Sequence, residues 1–199
     1  MELRKATEEG WRFVYERDLM RAFPLMELRT ADEIENLMRR GKYEFLCLHD
    51  GADIVGTVTV YLGRPGWVLL DYLCVVASRR NAGLGSQLIK EMLAHYRNNV
   101  IITEVEAPEY ALDPPLAARR LEFYRRNGAF LAGFESELFG VRYNIIYWAD
   151  APRPDAEIQR EYDNVCRDVF TSDECERYVR IPYRDSESAP TPILRKGID

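Results

Sequence analysis

The chain has 199 residues, 47% hydrophobic and 30% charged, the composition of a globular protein able to bury roughly 70% of its unfolded surface without disulfides or a metal. Twenty-seven Lys and Arg against 33 Asp and Glu leave a net charge of −6, with 19 basic and 22 acidic residues in 1–150 and 8 and 11 in 151–199. That balance is the reverse of what a phosphate-contacting nucleic-acid protein carries, so a nucleic-acid partner is not expected. Apolar runs such as Trp67–Leu70 are far shorter than the roughly 20 residues of a membrane span, and the charged start MELRKATEEGWRF lacks the apolar stretch of a signal peptide. The expectation is a cytoplasmic protein with no membrane partner. Cys47, Cys74, Cys166 and Cys175 contain no C-x-x-C pair, so no metal site is expected. Cys47 and Cys74 lie inside apolar runs and read as buried reduced thiols.

In chain order, residues 6–22 place Trp11, Val14, Tyr15 and Leu19 near a helical stripe, with Thr7 as cap and Pro24 as stop. Thr30 and Glu33 form a capping-box pattern for a second helix that ends at Gly41. The period then changes. YEFLCLHD and ADIVGTVTVYLG predict two strands joined by Asp50-Gly51, a strong hairpin signal. After the turn Gly63–Gly66, WVLLDYLCVV is the nearly continuous apolar run of a central strand. The loop SRRNAGLG precedes a helix, SQLIKEMLAHYRNN, which is followed by the strand VIITEVEA. A Pro-rich loop leads to the helix LAARRLEFYRRNG and the strands AFLAGFES and RYNIIYWAD. Beyond APRPD, residues 155–170 predict a further helix with Ile158, Tyr162, Val165 and Val169 on one side, and the polar residues from about Arg184 read as a loose arm. The class is α/β.

The chemistry concentrates in residues 70–92, where a buried strand enters a glycine-bearing loop that opens a helix. Such a junction aims unpaired N–H groups and the positive helix end at one point, an anion site suited to phosphate. Gly83 and Gly85 allow close backbone approach. A Walker loop would need Lys-Ser/Thr after Gly85, where the chain has Ser86-Gln87, and a dinucleotide fingerprint would need a small residue at Leu88. On β-type alternation, Glu104 and Glu106 share one strand face opposite Thr103 and Val105. Carboxylates there require a cleft or a partner, with ordered water, Arg119 or Arg120 the candidate partners.

Arg80-Asn81-Ala82-Gly83-Leu84-Gly85 fits R/Q-x-x-G-x-G/A, and Leu121–Phe130 fits L-x-x-Y-x-x-x-G-small-F. With these two motifs in order, roughly residues 10–150 resemble the GCN5-related N-acetyltransferase (GNAT) family. The resemblance implies the acyl-CoA N-acyltransferase fold, a mixed central sheet flanked by helices, with the domain over 1–150 and a helical appendage over 151–199. It implies acetyl-CoA as donor, acting as a cosubstrate, and a primary amine of a small molecule or peptide as acceptor. Leu73, Cys74 and Val75 would offer backbone groups to the pantetheine arm, and Arg80, Asn81, Ala82, Gly83, Leu84, Gly85 and Ser86 would wrap the pyrophosphate. Arg79 is a candidate for the 3′-phosphate, with a solvated arginine the alternative.

Tyr124 matches the tyrosine that the family places near the CoA sulfur and is the candidate general acid. Glu104 is the candidate base, with Glu106 and Asp71 as alternatives. Ala117 stands where the family often carries an asparagine, and the loop EAPEYALDPP is longer than usual. His49 and His95 read as surface residues. The acidic balance favours a cationic acceptor such as a polyamine, an aminoglycoside-like amine or a peptide amine, and the assembly is a monomer or homodimer. The competing reading is a non-catalytic acyl-CoA-binding sensor or interaction module.

Overall fold

The computed structural model describes residues 1–25 and 27–184; the arm read beyond Arg184 lies outside them. The described residues form two compact units, Met1–Leu62 with Leu70–Asn98, and Gly63–Leu69 with residues 99–184. Strand β4 (Trp67–Val75) contributes to both. No helix among the described residues is long and apolar enough to cross a membrane.

In the first unit, β1 (Glu2–Lys5), β2 (Tyr43–Asp50) and β3 (Asp53–Leu62) pair antiparallel, and β3 neighbours β4. The β2–β3 hairpin closes at Asp50↔Asp53, with Gly51 at φ +63° supplying the left-handed residue that the Asp-Gly signal anticipates. A bulge at Leu48/His49 shifts the register. Thr7 caps α1 (Glu8–Val14), accepting from the Gly10 N–H at 3.1 Å, and Trp11 and Val14 are buried. The single helix read over 6–22 is interrupted by a π-turn, Tyr15–Leu19, closed by the Met20 N–H on the Tyr15 carbonyl, before the short α2 (Met20–Ala22). Helix α3 (Ala31–Arg39) carries the Thr30/Glu33 capping box and buries Ile34 and Leu37.

Helix α4 runs over Leu84–His95, beginning and ending earlier than the apolar stripe suggested, and buries Leu88, Ile89 and Met92. Gly56 of β3 admits it: a Cβ there would lie 2.7 Å from Leu88 Cδ1 and 3.0 Å from the Cys74 carbonyl oxygen.

In the second unit the order is β4, β5 (Val100–Glu106), β7 (Val141–Trp148), β6 (Phe130–Leu138) and β8 (Val179–Arg180). Trp67–Leu69 pair in parallel with Val100–Ile102, and the other pairings are antiparallel, so the sheet is mixed. Helix α5 (Pro114–Arg126) starts on Asp113, whose carboxylate accepts from the Leu116 N–H at 3.1 Å, and ends before Gly128 at φ +87°. Helix α6 (Asp155–Val169) buries Ile158, Tyr162 and Val165, the face read from its spacing, against β6. Helix α7 (Ser172–Tyr178) follows on a second capping box, Thr171/Glu174.

The sequence reading missed β1, α7 and β8. Four, seven and two residues long, they are too short and too charged to display a period, and tertiary pairing supports them.

Candidate functional site

The loop after β4 begins with a 3-10 turn, Ala77–Arg79, and Arg80 donates from Nε to the Val75 carbonyl at 3.4 Å. Asn81 and Gly83 take left-handed conformations, φ +64° and +78°. A Cβ on Gly83 would meet nothing within 4 Å, so glycine is needed there for its dihedral and not for space. Gly83 is the N-cap of α4 and brings no side chain to cap it; the first helical bond runs from the Gln87 N–H to the Gly83 carbonyl at 3.2 Å. The N–H groups of Leu84, Gly85 and Ser86 therefore precede the helical ladder, at the positive end of a twelve-residue helix. Such an arrangement can hold a phosphate through backbone donors alone.

Beside this loop lies a cleft of about 310 Å³ lined by Cys74, Val75 and Arg80, together with Val76, Ala77, Ser78, Arg17, Asp18 and Arg21. Three predicted residues thus meet in one concavity. Leu73 is half-buried on the preceding strand position, outside that lining. Burial pushes the Cys74 thiol up to about 11, so it stays protonated and is no nucleophile at neutral pH. Arg79 pairs with Asp50 at 3.0 Å, an exposed contact that a ligand phosphate would have to displace.

Of the carboxylates, Asp71 is engaged by Arg29, whose Nε lies 2.7 Å from Oδ2, and by the Tyr43 hydroxyl at 2.5 Å. Desolvation and the Asp71 charge hold the Tyr43 phenol well above its ordinary value, so it remains a donor. Tyr72 extends this buried cluster, accepting from the Arg29 N–H at 2.9 Å and donating to the Glu27 carbonyl at 2.8 Å. Asp71 is a structural anion here.

Glu104 is half-buried on β5, and its Oε1 accepts from the Tyr162 hydroxyl at 2.6 Å. Tyr162 is wholly buried, also lies 3.3 Å from Ser136 Oγ, and has its phenol held far above the ordinary range by burial and by the Glu104 charge. Glu106 is half-buried two residues on. The appended helix thus brings Glu104 a partner, Tyr162, that was not among the arginines considered. Nothing in the local spacing could have found it.

Tyr124 sits half-buried on α5, edge-on to Trp148 at 5.7 Å between centroids and to Phe123 at 5.1 Å. Desolvation pushes its phenol up to about 12, partly offset by Arg120. It is protonated at every pH of practical interest. Ala117, on the same helix, is buried. His95 is exposed and 3.9 Å from Glu44, whereas His49 is half-buried at the bulge.

Residues 41–128 match the family model of the acetyltransferase (GNAT) domain. Among solved structures, a protein from Bacteroides thetaiotaomicron assigned to the GNAT acetyltransferases superposes with a TM-score of 0.70 at 19% identity, over 87% of this chain and 98% of that one. An aminoglycoside 6′-N-acetyltransferase complexed with coenzyme A gives 0.59 at 17%, over 78% and 100%. A spermidine N-acetyltransferase from Vibrio cholerae, in complex with CoA and spermine, gives 0.56 at 15%, over 73% and 93%. These likenesses establish the fold. A search of curated proteins by sequence finds no match. The Arg80–Gly85 loop and Tyr124 both lie inside the segment that matches the acetyltransferase (GNAT) domain model.

Proposed function

We propose that this protein transfers the acetyl group of acetyl-CoA to a primary amine of a small molecule or peptide by direct attack of the amine on the thioester. The observation that carries this reading is the side-chain-free N-terminus of α4 behind Asn81 and Gly83, which offers backbone donors to a pyrophosphate. Leu73, Cys74 and Val75 would present strand backbone to the pantetheine arm, and Arg80 through Ser86 would surround the pyrophosphate. The amine must first lose a proton, for which Glu104 is the proposed acceptor. Its lone pair then forms the C–N bond, the tetrahedral centre collapses, and the C–S bond breaks. The departing thiolate takes a proton, which we assign to the Tyr124 hydroxyl, and the second proton of the former amine nitrogen passes to Tyr124 as the amide forms, restoring the phenol. Positioning of the two substrates supplies much of the remaining acceleration.

Calorimetric titration with acetyl-CoA, with NAD and ATP as controls, tests the donor. Micromolar binding of acetyl-CoA alone is expected. Gly83→Ala should weaken that binding several-fold, since a Cβ at φ +78° costs about 1–2 kcal/mol in the conformation the loop needs. Absence of acetyl-CoA binding in the unaltered protein would return the loop to a structural role.

For the base, Glu104→Gln is expected to remove the acidic limb of the pH profile of kcat/KM. An unchanged limb would transfer the role to Glu106 or to water. The Tyr162 contact occupies one carboxylate oxygen and fixes the direction of the other.

A non-catalytic CoA-binding module is favoured by one observation, the buried Ala117 where the family often carries an asparagine. That reading predicts acetyl-CoA binding with no amine turnover.

A further inference from the structure

The appended helix α6 packs on β6 and reaches across β7 to β5. In register Glu104 stands opposite Ile145, Glu106 opposite Tyr143, and Tyr143 opposite Ser136, and residues paired across antiparallel strands share a face. Glu104 on β5 and Ser136 on β6 therefore lie on the same side of the sheet, with β7 between them. Tyr162 spans that strand: its hydroxyl is 2.6 Å from Glu104 Oε1 and 3.3 Å from Ser136 Oγ. With Glu104 ionised, both bonds have one direction. A carboxylate only accepts, so the phenol donates to it, and the phenol oxygen accepts from Ser136. Tyr162 and Ser136 are wholly buried, which keeps water from competing for either bond.

The helix is pinned at both ends to the strands it covers. At its start, Asp155 accepts from the Gly133 N–H at 2.8 Å, beside the irregularity in β6. Beyond its end, Phe170 lies edge-on to Phe139 of the β6–β7 turn at 5.2 Å between centroids, and Tyr178 stacks on the same ring at 5.3 Å. A side chain supported in this way holds its contact in one geometry, which catalytic positioning requires.

We infer that Tyr162 is a positioning residue for acetyl transfer: its hydroxyl holds the Glu104 carboxylate in the orientation and in the ionised form that takes the amine's proton. The appended helix is then part of the active site. This rests on the acetyl-transfer reading with Glu104 as base. Glu104 is half-buried, open enough to meet a substrate and enclosed enough to be held. Around it, α6 brings Tyr162 and Cys166, both kept neutral by burial and by the Glu104 charge. Glu161 and Asp163 of the same helix pair with Arg160 and Arg167. Strand β7 brings Tyr143, and β5 itself brings Glu106. Helix α5, packed on β5, carries Tyr124 and the constant guanidinium charges of Arg119 and Arg120.

The test has two readouts on the full chain. One is the titration of the Glu104 carboxyl carbon by NMR in protein labelled with carbon-13 glutamate, the signal being assigned by its loss in Glu104→Gln. The other is the acidic limb of kcat/KM for acetylation of spermidine, tyramine and lysine. Removing a donor from the ionised form makes ionisation harder, so Tyr162→Phe should move both midpoints up by about one pH unit. Acetyl-CoA affinity should not change. In a Glu104→Gln background, Tyr162→Phe should cost no further kcat/KM, because its effect passes through the carboxylate. Val165→Ala, which trims a buried apolar contact of the same helix, should lower stability and leave both midpoints in place. Ser136→Ala should raise them by a smaller amount, since it weakens the phenol as a donor, and it decides the matter alone if Tyr162→Phe does not fold. An unmoved Glu104 midpoint overturns the inference, as does a moved midpoint with an unmoved limb, or an equal shift in Val165→Ala. Acetyl-CoA binding with no turnover of any of the three amines also overturns it. Failure of the unaltered protein to bind acetyl-CoA instead overturns the acetyl-transfer reading beneath it.

Discussion

Tyr124→Phe is expected to lower kcat by about 10²-fold or more while leaving the acetyl-CoA dissociation constant unchanged. The substitution removes one oxygen and keeps the ring, so the edge-on contacts with Phe123 and Trp148 persist and the fold should not suffer. Only a proton donor is lost. Because desolvation pushes this phenol up to about 12, the acid form is present throughout the neutral range, and activity that depends on it declines only as pH rises through that value. The pH profile of the unaltered protein should accordingly show no basic limb from Tyr124 below about pH 11. Steady-state kinetics beside calorimetry separates the possibilities. Equal kcat in Tyr124→Phe would make Tyr124 a packing residue, and a lost acetyl-CoA affinity would make it a binding one.

The second large effect is on stability. Asp71→Ala should destabilise the fold by about 3–5 kcal/mol, because it leaves the Arg29 guanidinium buried without its counter-charge. The two side chains are only 13% and 9% exposed. Tyr43 would lose the anion to which it donates at 2.5 Å, adding an unsatisfied hydroxyl inside the same cluster. The expected signature is a lower urea midpoint at unchanged slope. The paired replacement Arg29→Met with Asp71→Leu should recover much of the loss, since it removes both charges together. Asp71→Asn should retain kcat wherever it stays folded. A lost acidic limb in that variant would instead show that Asp71 takes the proton, against its engagement with Arg29.

Both results turn on the difference between what a residue is and what surrounds it. Tyr124 was legible from its place in L-x-x-Y-x-x-x-G, and the loop Arg80–Gly85 from its spacing, because motif residues lie close in sequence and their geometry is mostly local backbone. The order of strands and helices was legible for the same reason: Asp50-Gly51, the Thr30/Glu33 box and the Asn127-Gly128 stop are local signals with local causes.

The sequence by itself determined the α/β class, the position of the Arg80–Gly85 loop between β4 and α4, and the helical face of 155–169. Tertiary structure alone decided which charges meet. Asp71 became a structural anion because Arg29, 42 residues earlier in the chain, closes on it. Glu104 acquired Tyr162 from 58 residues away. Arg21 entered a cleft with Arg80 because a π-turn, whose extra residue leaves no mark in a 3.6-residue period, alters the rotation of the first helix. The physical reason is common to all three. Backbone periodicity depends on near neighbours, whereas the environment of a charge depends on side chains that folding brings in from distant segments.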